Sequence, residues 1–133
     1  MLECSTSLII SSTAGDGKLV VTRVEKLTLE WKSIVKSYLP LFPLCVASSR
    51  IKAIDGVLIV LATSDYMLRF FILNSSNLPD DPLEEKCILK VGDDWITNLE
   101  FSKCEFDEIV DLAVANNDKK IRVFRVFKED EKV

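Results

Sequence analysis

The chain has 133 residues, 48% of them hydrophobic and 29% charged, the size and composition of one ordinary globular domain. A net charge of −4 argues against a strong electrostatic grip on nucleic acid or anionic membrane, both of which need a basic surface, and leaves room only for a local basic patch. No run of 18 apolar residues offers a transmembrane helix, and MLECSTSLIISS lacks the charged n-region and long apolar core of a signal peptide, so an intracellular protein, cytoplasmic or also nuclear, is expected.

In chain order, the first unit (residues 1–36) carries a strand–turn–strand around Asp16 and then an apolar run, Trp31 to Val35. The segment from Leu27 to Tyr38 could also pass for a helical turn or two. The second unit (residues 37–91) opens on a short strand at Val46. It continues with a strand–turn–strand around Asp65 and closes on Cys87 to Val91. Between these lies NSSNLPDDP, where Pro79 and Pro82 forbid a regular strand. The third unit (residues 92–133) begins a strand at Leu99. Its strand–turn–strand, Ile109 to Val126, is centred on Asp118.

Aligned on Asp16, Asp65 and Asp118, the three copies agree. Three residues after each aspartate stand Leu19, Leu68 and Ile121. Five after stand Val21, Phe70 and Val123, and eight after stand Val24, Leu73 and Val126. The period-2 spacing between the first two of these places is that of one strand face. The aspartates follow Gly15, Ser64 and Asn117, as tight turns prefer, and a short carboxylate can accept backbone N–H bonds there. A structural turn role is therefore favoured for all three over catalysis or metal binding.

Repeats of about 40 to 55 residues with four short strands are the signature of a β-propeller, in which twisted sheets pack face to face around an axis. The expected fold is all-β, a partial propeller of about three blades and about ten antiparallel strands. The first and last blades are incomplete, the first lacking its inner strand unless Leu2 to Cys4 improvises one. Propellers close with about four to eight blades. Three blades would need sheets from further chain, other copies or partners, and bare sheet edges and faces invite self-association.

The segments Asn116-Asn117-Asp118-Lys119-Lys120-Ile121-Arg122-Val123-Phe124 and Thr63-Ser64-Asp65-Tyr66-Met67-Leu68-Arg69-Phe70-Phe71 resemble the WD-repeat family. The chain departs from that family in having neither the Trp-Asp dipeptide nor the Gly-His pair. The family's histidine-centred hydrogen-bond network therefore cannot form complete, and blades held chiefly by apolar packing are expected. Phe42-Pro43-Leu44-Cys45, Asp93-Asp94-Trp95-Ile96 and Ile121-Arg122-Val123-Phe124-Arg125-Val126 are, in order and spacing, similar to the family of WD-repeat subunits of the Elongator complex. Gly92 stands beside the place where that family has its histidine. The resemblance implies a non-catalytic scaffold whose partners are other Elongator subunits. In that complex, which modifies wobble uridines of tRNA, a radical-SAM/acetyltransferase subunit carries the chemistry. A recognition module of another complex, such as a ubiquitin-ligase adaptor or an RNP factor, is the alternative.

No catalytic, cofactor or metal site is expected. The four cysteines (Cys4, Cys45, Cys87 and Cys104) contain no CxxC, no histidine accompanies them, and reduced, mostly buried thiols are the plainer reading. The adjacent acids Asp80-Asp81, Glu84-Glu85, Asp93-Asp94 and Asp107-Glu108 point apart on a strand or loop, whereas acid–base chemistry needs two carboxylates converging. Ala14-Gly15-Asp16-Gly17-Lys18 is too short for a phosphate loop and aligns with the other two turns. Asp94, Trp95, Lys119, Lys120 and Arg122 are candidate interface residues. Arg122 and the two lysines could meet phosphates, although charge on a solvated strand edge explains them more simply. For Trp31 and Trp95, core packing is favoured over a role as interface anchors.

Overall fold

A computed structural model of the chain describes residues 2–3, 7–13, 16–37, 41–50, 56–74, 85–102 and 109–127. They form β1 (Leu2–Glu3), β2 (Ser7–Thr13), β3 (Lys18–Glu25), β4 (Trp31–Ser37), β5 (Pro43–Arg50), β6 (Gly56–Thr63), β7 (Met67–Asn74), β8 (Glu85–Lys90), β9 (Ile96–Phe101), β10 (Ile109–Asn116) and β11 (Ile121–Phe127). Each strand pairs antiparallel with its neighbour in sequence. The result is three meanders: β1 to β4, β5 to β8 and β9 to β11. The expected all-β, partial-propeller arrangement is present, with one refinement. The first sheet has a first strand after all, because Leu2 and Glu3 pair with Ile9 and Leu8. The helical alternative for Leu27 to Tyr38 gives way to a turn and β4, which pairs with β3 from Trp31 to Ser37. Pro79, Pro82 and the charged tail after Phe127 lie outside the described residues.

The middle sheet explains the order. Its strand β6 reads Val57 to Ala62 without a polar residue, and all six are buried. A short unbroken apolar run of this kind suits a strand covered on both sides. Strand alternation divides it in two. Val57, Ile59 and Leu61, with Phe71 and Leu73 of β7, pack against Ile9, Leu19 and Val21 of the first sheet. Leu58, Val60 and Ala62, with Leu68 of β7, pack against Ile96, Leu99, Val110, Leu112 and Val114 of the third sheet. The stack therefore has a direction. The middle sheet presents one face to the sheet before it and the other to the sheet after it.

Among the described residues, the third sheet is covered on one side only. Along β10, Val110, Leu112 and Val114 are buried while Asp111, Ala113 and Ala115 are only partly so. That is the half-buried alternation of a sheet with one solvated face.

Thiol chemistry checks the packing. Cys45 of β5 lies against the core between the second and third sheets, and burial pushes its thiol up to about 11. Cys87 of β8 is exposed. Of the four thiols expected to be mostly buried, one described is partly buried and one is not, while Cys4 and Cys104 lie outside the described residues. Iodoacetamide at pH 8, followed by peptide mapping, is expected to alkylate Cys87 readily and Cys45 only after unfolding, because the thiolate is the nucleophile. Equal labelling rates in the native protein would mean that β5 is not packed as described.

Candidate protein interface

At one end of the second and third sheets the same small structure is built twice. The hairpin β6–β7 turns through Ser64, Asp65 and Tyr66, and β10–β11 through Asn117, Asp118 and Lys119. Each loop closes with a hydrogen bond from its third residue: Tyr66 N–H to Thr63 C=O at 3.2 Å, and Lys119 N–H to Asn116 C=O at 3.2 Å. Those third residues adopt the left-handed conformation, with φ of 68° and 67°, and Gly17 at 80° follows Asp16 in the same way. A three-residue hairpin loop ending in a left-handed residue is a standard connection. The aspartates serve as turn residues. Asp16 Oδ1 accepts Lys18 N–H at 3.2 Å and Asp118 Oδ1 accepts Lys120 N–H at 3.0 Å, while the Asp65 carboxylate takes the Met67 N–H.

Two of the three turns carry a further clamp. Four residues after the aspartate stands an arginine that reaches back to it: Arg69 to Asp65 at 2.7 Å and Arg122 to Asp118 at 3.0 Å. The same arginine donates to the side chain two residues before the aspartate. That partner is Thr63 Oγ1 at 3.1 Å for Arg69 and Asn116 Oδ1 at 2.9 Å for Arg122. Thr63 in turn donates to Asp65, and Arg69 also grips Glu85 of β8 at 3.1 Å. The first hairpin has Val20 where the arginine would be. Among the described residues, the first hairpin therefore lacks this clamp. The other two have a polar lock built on arginine instead of histidine.

The locks shift the aspartate protonation equilibria. Burial alone would raise the Asp65 carboxyl, but hydrogen bonds from Thr63 and Arg69, with the arginine's charge, hold it below the usual carboxylate range. For Asp118 the Arg122 hydrogen bond dominates and also lowers it.

The clamps fix the loops beside them. Asn116, buried, donates through Nδ2 to Val91 C=O at 3.1 Å and Asp94 C=O at 3.4 Å, so the Arg122 lock also holds the loop that enters β9. Gly92 in that loop has φ of 71°, and a Cβ placed there would stand 3.3 Å from both Arg122 terminal nitrogens. Gly92→Ala is therefore expected to lose about 1–2 kcal/mol of stability, from the left-handed backbone and the displaced guanidinium together. An unchanged urea midpoint would show that neither constraint operates.

The two loops present equivalent aromatics. Ser64 N–H donates to Phe42 C=O at 2.9 Å, and Asn117 N–H donates to Trp95 C=O at 2.8 Å. The next residues, Pro43 and Ile96, are buried. Both then pass through a register shift in their strand pairing, between Pro43 and Cys45 in one sheet and beside Asn116 in the other. Such irregularities re-aim side chains at sheet ends. Phe42 is 50% exposed and Trp95 51%. The preference for core packing at the tryptophans does not hold. Trp95 sits in the entry loop with its backbone tied down and its ring half in solvent. Trp31, 70% exposed, lies on the face of the first sheet opposite Leu19 and Val21, in register with Val24.

The other candidate interface residues fall around this end. The Asp94 carboxylate accepts the Trp95 N–H at 2.8 Å, Lys119 and Lys120 are exposed on the turn, and Arg122 is committed to Asn116 and Asp118. Of the acidic pairs, Glu85 serves Arg69 and Asp93 faces Lys90 at 3.4 Å. Asp80, Asp81, Glu84, Asp107 and Glu108 lie outside the described residues. Phe42, Thr63, Gly92 and Asn116 were not picked out as site residues from sequence. The signal for Thr63 and Asn116 was the arginine four places after two of the aspartates, with a polar residue two places before. No family model matches the chain, and no curated protein matches it.

Proposed function

We propose that this chain is a non-catalytic scaffold whose partner-binding surface is the end carrying Phe42, Trp95, Lys119 and Lys120. One observation supports this above others: two half-exposed aromatics occupy equivalent places in adjacent sheets, each fixed by the same backbone bond to its neighbouring turn. Rigid aromatics with low ordering cost are what interface anchors require. The resemblance of Phe42-Pro43-Leu44-Cys45 and Asp93-Asp94-Trp95-Ile96 to Elongator WD-repeat subunits names the partners: the other subunits of a complex that modifies tRNA wobble uridines.

The test is affinity purification of the tagged chain from native cells, with quantitative mass spectrometry. The expected result is recovery of the Elongator catalytic subunit, reduced at least about tenfold by the double variant Phe42→Ala/Trp95→Ala. Clean, reproducible absence of that subunit would sink the Elongator role. Another complex in its place, lost on the same substitutions, would move the reading to a recognition module of that complex.

A further inference from the structure

The half-exposed rings of Phe42 and Trp95 stand on one continuous frame. Phe42 is tied twice to the β6–β7 turn: its C=O accepts Ser64 N–H at 2.9 Å, and its N–H donates to Ser64 Oγ at 2.9 Å. Two residues on, Tyr66 C=O accepts Val91 N–H at 3.0 Å, which carries the frame from the second sheet to the loop entering the third. Val91 C=O accepts Asn116 Nδ2, and Asn117 N–H donates to Trp95 C=O. The strands that the two aromatics lead into, β5 and β9, lie against each other. Stacked sheets pack about 10 Å apart, so equivalent places in adjacent sheets stand about that far from one another. The Trp95 end also carries charge. Asp94 is engaged by Trp95 N–H, Asp93 by Lys90 and Asp118 by Arg122. Lys119 and Lys120 are exposed there and form no ion pair with a carboxylate of the described residues.

We propose that this end binds a proline-rich protein segment in the polyproline II conformation. Prolines three places apart pack on Phe42 and Trp95, and acidic residues beyond them meet Lys119 and Lys120. The inference rests on the scaffold reading, whose partner surface it shares, and names the chemistry of the segment that surface takes. Spacing and side-chain direction together select the conformation. Polyproline II rises about 3.1 Å per residue with three residues per turn, so places i and i+3 lie about 9 Å apart on one side. A β-strand covers that span in about three residues too, but there i and i+3 point to opposite faces. An α-helix needs about seven residues for it, and is the alternative that an alanine-for-proline peptide tests. Proline rings are apolar and dock on aromatic side chains, and a segment already in polyproline II loses little entropy on binding. Two aromatics held at a fixed separation suit a ligand that is itself preformed. The lysines give the segment a direction, because only its Trp95 end meets unpaired positive charge.

The test is calorimetric titration of the 133-residue chain with the synthetic peptide Ala-Pro-Ala-Ala-Pro-Ala-Asp-Asp-Ala, carried to about 1 mM. Saturable one-to-one binding is expected. Phe42→Ala and Trp95→Ala should each weaken it about tenfold, with circular dichroism unchanged because both rings are half exposed. Lys119→Asn with Lys120→Gln should remove the preference for this peptide over one with lysines in place of its aspartates. Asparagine tolerates the left-handed backbone at Lys119. No binding at that concentration would overturn the proposal. So would equal binding of the alanine-for-proline peptide or of the lysine peptide, or binding indifferent to both aromatic substitutions. The scaffold reading fails separately. Cellular partners lost on Phe42→Ala/Trp95→Ala, with no peptide bound, would keep the surface and sink the proline-rich segment. Peptide bound as expected, with no Elongator subunit captured, would uphold the segment and sink the Elongator role.

Discussion

Phe71→Ala is expected to be the most damaging single truncation among the described residues, lowering stability by about 3–5 kcal/mol. Among the described residues Phe71 is the largest fully buried side chain, placed between the first and second sheets with Ile59, Leu61 and Leu73. The truncation removes the burial of an aromatic ring and leaves a cavity that strands hydrogen-bonded on both sides cannot collapse to fill. Because a domain of this size has about 5–15 kcal/mol in all, that loss is a large share of its stability. Phe42→Ala supplies the contrast. That ring is half exposed, and its loss should stay within about 1 kcal/mol. Urea denaturation of the two variants side by side is the measurement. Similar midpoints would contradict the division between core and presented aromatics.

Arg69→Met is expected to cost about 1–2 kcal/mol, a figure at the lower end for charged hydrogen bonds because water screens part of the lock. The arginine serves three partners: Thr63, Asp65 and Glu85. Methionine keeps much of the packing and leaves two carboxylates facing each other without their cation. The pH dependence follows from the direction of the Asp65 shift. Its carboxyl is held below the ordinary value when folded, so the stabilisation is fully present above the unfolded value of about 3.9. It is lost as pH falls from there through the folded value. Removing Arg69 takes away part of the cause and leaves the hydrogen bonds from Thr63 and Met67. The stability lost between neutral pH and about pH 2 should therefore be smaller in the variant than in the parent. An equal or larger acid loss in Arg69→Met would show that the lock is not what holds the Asp65 carboxyl down.

Much of the fold was legible because the repeat is carried by apolar period and turn chemistry, both local. The unbroken run Val57 to Ala62 and the alternation Val110, Leu112, Val114 state which strands are covered on two sides and which on one. The locks were half legible. Arg69 and Arg122 stand at the same distance from their aspartates, but what they grip is set by how the strands pair across the hairpin. The buried role of Asn116 depends on a loop about 20 residues away in sequence, joined through the carbonyls of Val91 and Asp94. The tryptophans were misjudged for a related reason. Hydrophobicity favours burial for both rings, whereas exposure was decided by register for Trp31 and by the entry loop for Trp95. The short first strand, Leu2–Glu3, carries no periodic signal of its own, and only its pairing with β2 makes it a strand.

The central claim is that, among the described residues, the middle sheet is covered on both faces while the third is covered on one. An aspartate scan along β6 and β10, read as the urea midpoint of each variant, tests it most directly. The account predicts that no position from Val57 to Ala62 tolerates aspartate. In β10, Ala113 and Ala115 should tolerate it while Val110, Leu112 and Val114 do not. Alternating tolerance along β6 would mean that one of its faces meets solvent, and would contradict the stacked arrangement.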